Sequence, residues 1–291
     1  MKFQQRDRVK NQSMMEWGKG EILECLGADK YQIFFVNVGE KTIDASIANL
    51  MKLEEEERNH PLLDNLKLPD KNKVTKFISI RDLVSLFLQI FPKGFYDDTY
   101  LRDERQYKVA AHELMLELLD VKTFGDLINS RSYDEVCKNA LKVVRKTNLI
   151  FPHEQMALSD GLKSAENRES FSRSLYTVLY GENELSLGFE DFAQCLEDMN
   201  ASKWTTQTYF LFVTFPEKYA FMKPSVTQYA ADAFAFELNY RSEINWQSYE
   251  TLLKFYNYVG KELAELDEHL RPRDMIDVQS FIWCSVPGKY Y

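Results

Sequence analysis

Residues 79–92 read SIRDLVSLFLQIFP, and the periodicity of this stretch decides the fold class. Apolar side chains fall at 80, 83, 84, 86, 87, 88, 90 and 91, the spacing of a helix with one broad buried face. Ser79 stands where a cap is needed and Asp82 lies in the first turn. Pro92 and Gly94 then stop the helix. From here to the C-terminus the pattern stays helical. ERQYKVAAHELMLELL (104–119) is a second helix, and TFGDLINSRSYDEVCKNALKVVRKTN (123–148) holds at least two more, with Ser132 and Glu135 spaced as a capping box. HEQMALSDGLKS, RESFSRSLYTVLYG and GFEDFAQCLEDM follow. Two helices are expected over 203–235, split near Pro216, then a long aromatic-rich one in NWQSYETLLKFYNYVGKELAEL, and a last one in LRPRDMIDVQSFIW (270–283).

Upstream of residue 61 the pattern is different. DRVKN and GKGEILECLGADKYQIFFVNVGEKTIDASIANLMKL, within 7–53, read as short strands, with candidates at 20–26, 30–37 and 40–45. Gly27, Asp29 and Gly39 supply the turn chemistry between them. Strands this short suit a small curled sheet or barrel. EEEERNHP (54–61) breaks the pattern and reads as a boundary. The expected architecture is therefore α+β: a β-barrel-like module over 1–53, a linker over 54–66 and a helical domain over 67–291.

Composition narrows the function classes. The chain has 291 residues, is 45% hydrophobic and 14% aromatic, and so has ample material for a core. No apolar run approaches the roughly 18 residues of a membrane span, and the N-terminus lacks a signal-peptide stretch, which points to a cytoplasmic protein. Cys25, Cys137, Cys195 and Cys284 are scattered, as are His60, His112, His153 and His269, so neither a disulfide framework nor a metal site is expected. GxxxxGK[ST] and GxGxxG are absent, and no cofactor is expected. The net charge of −9 argues against coating nucleic acid by charge alone. It leaves room for a local basic face. Lys138, Lys142 and Arg145, with Lys146 beside them, line one side of a helix, either to track a DNA backbone or to balance the acids at 134 and 135.

Two resemblances extend this reading. DRVKN, WGKGEIL, YQIFFVNVGEKTI and LMKL make the front segment similar to the small Tudor- or SH3-like module at the C-terminal end of UvrD-type helicases, which implies a protein or nucleic-acid partner for it. Three later segments, SFSRSLYTVLYG (170–181), ASKWTTQTYFLFVTFPEKYAFMKPSV (201–226) and LRPRDMIDVQSFIWCS (270–285), resemble the helix-hairpin-helix DNA glycosylases of the AlkA-like branch. The resemblance implies a helical glycosylase-type body. It implies an enzyme that hydrolyses the N-glycosidic bond of a modified base in double-stranded DNA, in repair or against modified phage DNA.

The departures from that family matter. NASKW stands in place of the hairpin glycines. Asn200 tolerates the left-handed angles that glycine would adopt there, and Ser202 and Lys203 could contact phosphate. Ser225 and Val226 follow Pro224 where the family has its catalytic acid. A carboxylate that stabilises the developing sugar cation must then come from elsewhere. Asp277 is the first candidate, because it interrupts the apolar run MIDVQSFIW, where burial is expensive unless the group is used or paired. It is equally a buried partner for Arg271 or Arg273, which otherwise count as DNA contacts. Asp274 reads as a cap or surface acid. Asp232 is a second candidate acid. Lys223 is a candidate Schiff-base nucleophile or phosphate contact. Trp204, Phe210, Tyr219, Phe221 and Trp283 are candidates to stack on a flipped base, or core residues. The other class of function is a non-enzymatic DNA- or protein-binding factor. A closed Arg–Asp pair at Asp277 favours that class, and an open polar pocket favours the enzyme.

Overall fold

The computed structural model describes residues 2–67, 77–182 and 184–285. The chain forms two compact units, Met1–Gln89 with Gln228–Leu238, and Ile90–Thr227 with Asn239–Tyr291.

The first unit is built on five strands: β1 (Arg8–Asn11), β2 (Lys19–Gly27), β3 (Lys30–Phe35), β4 (Gly39–Asp44) and β5 (Leu50–Lys52). The sheet is antiparallel at each of its pairings and has the order β4-β3-β2-β1-β5. The β2–β3 turn takes positive φ at Gly27, Ala28 and Asp29, the backbone a two-residue hairpin requires. Gly39 opens β4 at φ +68, where a Cβ would meet the Phe77 ring at 2.8 Å. Alternation along β3 buries Tyr31, Ile33 and Phe35 in one cluster with Val9 and Ile22.

The strands fall where the sequence places them, but the barrel does not form. β4 and β5 are the two edges of an open sheet, and no described strand joins them. Closure needs hydrogen bonding between the ends of a sheet. Here the last strand is three residues long and pairs only with β1. The likeness to a Tudor- or SH3-like barrel, and the barrel-like fold class with it, is therefore corrected to an open five-stranded sheet.

Residues 54–66, expected as a linker, are part of this unit. They include α1 (Pro61–Asp64), whose Leu63 carbonyl accepts from Arg8. Lys67 N–H donates to Ala235 O and Glu237 N–H to Asn65 O, which ties the segment to 228–238. Helix α2 (Ile80–Ile90) is capped as expected, with Asp82 N–H on Ser79 Oγ at 3.2 Å and Ser79 Oγ on the Asp82 carboxylate at 2.8 Å.

The second unit is helical: α3 (Asp98–Tyr100), α4 (Gln106–Leu119), α5 (Val121–Asn129), α6 (Tyr133–Arg145), α7 (Pro152–Gly161), α8 (Ala165–Tyr180), α9 (Leu185–Asp198) and α10 (Trp204–Thr214). After these come α11 (Pro224–Ala233), which runs from the second unit into the first at Gln228, and then α12 (Trp246–Leu266) and α13 (Met275–Ser285) of the second unit. A π turn, Leu101–Arg105, links α3 to α4. Helix α10 is buried all round, from Trp204 to Thr214, which makes it the core helix. The capping box expected at Ser132 is not made. The Ser132 hydroxyl lies 3.0 Å from that of Ser130 instead. Among the described residues no helix is long and apolar enough to cross a membrane, and the four cysteines are free.

Candidate functional site

Asp277 lies in the first turn of α13 and is fully buried. Its Oδ1 accepts from Tyr100 Oη at 2.5 Å, Arg105 Nη1 at 2.9 Å and Arg273 Nη2 at 3.1 Å. Its Oδ2 accepts from the Arg273 backbone N–H and Nε, both at 2.9 Å. A carboxylate has about four lone-pair positions, so these five donors saturate it. Of the two arginines named from the sequence, the structure brings Arg273 to Asp277 and leaves Arg271 exposed outside the cluster. Arg105, from the π turn, also grips Asp274 with two nitrogens, at 2.7 and 2.6 Å. Asp274 in turn caps α13 by accepting from Ile276 N–H at 3.0 Å. The cluster is charge-balanced, with two guanidiniums and two carboxylates.

Burial alone would pull Arg105 down, but the hydrogen bonds and charges of Asp274 and Asp277 more than offset it and its pKa is raised. Tyr100 is pushed well above its usual value by burial and by the Asp277 charge beside it. One turn on, the fully buried Lys108 donates to Ser280 Oγ at 2.7 Å and to Glu104 at 3.3 Å. Burial lowers its pKa, and Glu104 offsets part of that. A cleft of ≈ 240 Å³ nearby is lined by Arg273 and Asp274, and Asp277 does not line it. This arrangement binds α13 to the π turn and α4. It offers no free carboxylate oxygen to a substrate.

The connection from α9 to α10 is a short hairpin. Asn200 has φ +57, the left-handed conformation inferred for it in place of glycine. Ala201 N–H returns to Leu196 O at 2.8 Å, closing the helix end. Replacing Asn200 by Ala should cost roughly 1–2 kcal/mol, and Asn200→Gly should be neutral or better, as read by chemical denaturation. Lys203 is exposed and Ser202 half-buried. Ser202 faces a cleft of ≈ 440 Å³ that is also lined by Glu190, Glu197 and Glu243. Three carboxylates around this position repel a phosphate.

The candidate aromatics separate cleanly. Trp204, Phe210 and Phe221 are buried in the core, and Trp204 Nε1 donates to Arg241 O at 3.0 Å. Tyr219 is half-buried and packs edge-on to Phe215. Trp283 is different. It is half-buried and meets Lys223, whose Nζ lies 4.9 Å from the indole ring and 4.2 Å from the ring of Phe151. Phe151 is 46% exposed, and the ring of exposed His153 lies nearly parallel to it, 13° apart, with centroids at 5.7 Å. Glu154 fixes the position by accepting from Phe151 N–H at 3.0 Å, with Pro152 at the helix start.

Upstream in the chain, α6 carries the basic stripe. Lys138, Lys142, Arg145 and Lys146 are all exposed. Lys138 pairs with Glu135 at 3.2 Å, whereas among the described residues Lys142, Arg145 and Lys146 have no acidic partner. Four residues, 147–150, connect this stripe to Phe151. Sequence reasoning found Lys223, Trp283 and the stripe separately. It missed Phe151 and His153, whose one signal was an aromatic directly before the Pro of a helix start.

Asp232 belongs to the first unit, where it pairs with Lys67 in an exposed position. Among the described residues no group of three or more His, Cys, Asp or Glu could hold a metal ion.

No family model, no curated protein and no solved structure matches the chain. No relative supports the resemblance to helix-hairpin-helix glycosylases, and what stands is a helical domain.

Proposed function

We propose that the helical unit binds nucleic acid through the exposed face of α6 and the aromatic cluster that follows it in the chain. In this reading its buried acids are structural, and the protein is a binding factor rather than a base-excising hydrolase. The observation that carries the reading is the run of exposed cations Lys142, Arg145 and Lys146, without an acidic partner among the described residues, leading within a few residues to the exposed Phe151 and His153 rings. Cations interleaved with exposed aromatics suit a phosphate backbone with bases beside it. On a chain of net charge −9 such a face orients the polymer instead of attracting it everywhere. The saturated Asp277 supports binding over hydrolysis, because the chemistry needs an acid that can reach the sugar. Four free cysteines suit a reducing compartment, and with it a cytoplasmic place of action.

The test is fluorescence anisotropy of labelled DNA at rising salt. Roughly three phosphate contacts give a slope of log K against log salt of about −2 to −3. The double substitution Lys142→Glu with Arg145→Glu should remove most of that slope and most of the affinity. Unchanged binding in the double variant contradicts the proposal, as does abasic-site formation on alkylated, uracil-containing or hydroxymethylcytosine DNA.

A further inference from the structure

We infer that the Phe151–His153 pair is a stacking platform for an unpaired base, so that the partner is a single strand rather than intact duplex. The inference rests on the nucleic-acid reading above and specifies its polymer. Three features of the cluster carry it. Phe151 and His153 present two nearly parallel rings on the surface, with Lys223 over Phe151, so a third planar ring can extend the stack on the His153 side. The backbone that carries the platform is fixed before any ligand arrives, since Glu154 holds the Phe151 N–H and Pro152 sets the backbone that follows. One cation adjoins it in space and two more precede it closely in the chain. Lys223 lies between Phe151 and Trp283, and Arg145 and Lys146 close the α6 stripe. A stripe of cations alone would serve duplex and single strand alike. Exposed rings add binding energy only where a base face is free, and in a duplex each base face is already stacked on its neighbours. The strand chemistry that fits is a phosphate backbone along α6 with an unstacked base on the His153 side of the Phe151–His153 pair.

The experiment compares a labelled oligothymidylate with a hairpin duplex of equal phosphate number, using the full chain at low salt. The single strand should bind about ten-fold more tightly than the duplex. Phe151→Leu should remove that preference by weakening single-strand binding about ten-fold, a much larger loss than it causes for the duplex, and His153→Ala should weaken single-strand binding in the same direction. Circular dichroism confirms that each variant is folded. Equal binding of both polymers, unaffected by either substitution, overturns the platform but leaves the nucleic-acid reading standing. Binding of neither polymer overturns both. If Phe151→Leu instead abolishes a dimer detected by sedimentation and changes no DNA affinity, the patch is an interface between copies and the inference fails.

Discussion

Replacing Asp277 by Asn should destabilise the helical unit by about 3–5 kcal/mol, with the loss visible in urea denaturation followed by tryptophan fluorescence. The substitution keeps the shape of the side chain and removes its charge. Arg105, which is largely buried, then keeps only Asp274, and Arg273, at the solvent edge of the cluster, loses its carboxylate partner. The new amide nitrogen also points a donor at donors, since each Asp277 oxygen accepts from at least two N–H or O–H groups. Tyr100 is left with a weaker acceptor for a buried hydroxyl. An acid placed for catalysis behaves in the opposite way, because its neutral isostere abolishes turnover and leaves the fold as stable or more so. The same variant therefore separates a structural Asp277 from a catalytic one without knowledge of any substrate.

Lys108 gives the second large effect. Lys108→Met should cost about 3–5 kcal/mol, whereas Lys108→Met combined with Glu104→Gln should fall within about 1 kcal/mol of the parent or above it. The single change strands a Glu104 carboxylate that is almost completely buried and removes the donor to Ser280. The double change removes both charges and lets the methionine stem fill the lysine's volume. Lys108 also links stability to pH. Its folded pKa is lowered by burial, so between that value and the unfolded value near about 10.4 the unfolded chain binds the extra proton. Stability from this group therefore rises as pH increases through that window. Denaturation midpoints measured across alkaline pH should show the rise in the parent and lose it in the double variant.

Local features of this molecule could be read from its sequence, whereas long-range ones could not. Turn residues fix their own backbone angles, so Gly27, Asp29, Gly39 and Asn200 were legible, and each has positive φ. Ser79 and Asp82 cap α2 through contacts three residues apart. Arg271 and Arg273 were both named from the sequence as partners for Asp277, and Arg273, four residues away, forms the pair. It could not point to Arg105 or Tyr100, which reach Asp277 from 172 and 177 positions away. Sheet closure is of the same kind. Turn chemistry places strands, but whether two edges meet depends on strand lengths and pairing across the whole sheet, and β5 is too short and pairs only with β1. Phe151 was invisible for a third reason. Exposure of a single aromatic leaves no periodic trace, and only the folded chain shows that Lys223 and His153 lie against it.

The most direct test of the account is ultraviolet cross-linking of the full chain to a single-stranded oligonucleotide, with the adducts mapped by mass spectrometry. The account predicts adducts on Phe151, His153 or Trp283, lost when Lys142 and Arg145 are both changed to Glu. Adducts confined to the Asn200–Lys203 hairpin, or none at all under conditions where the oligonucleotide binds, would contradict it.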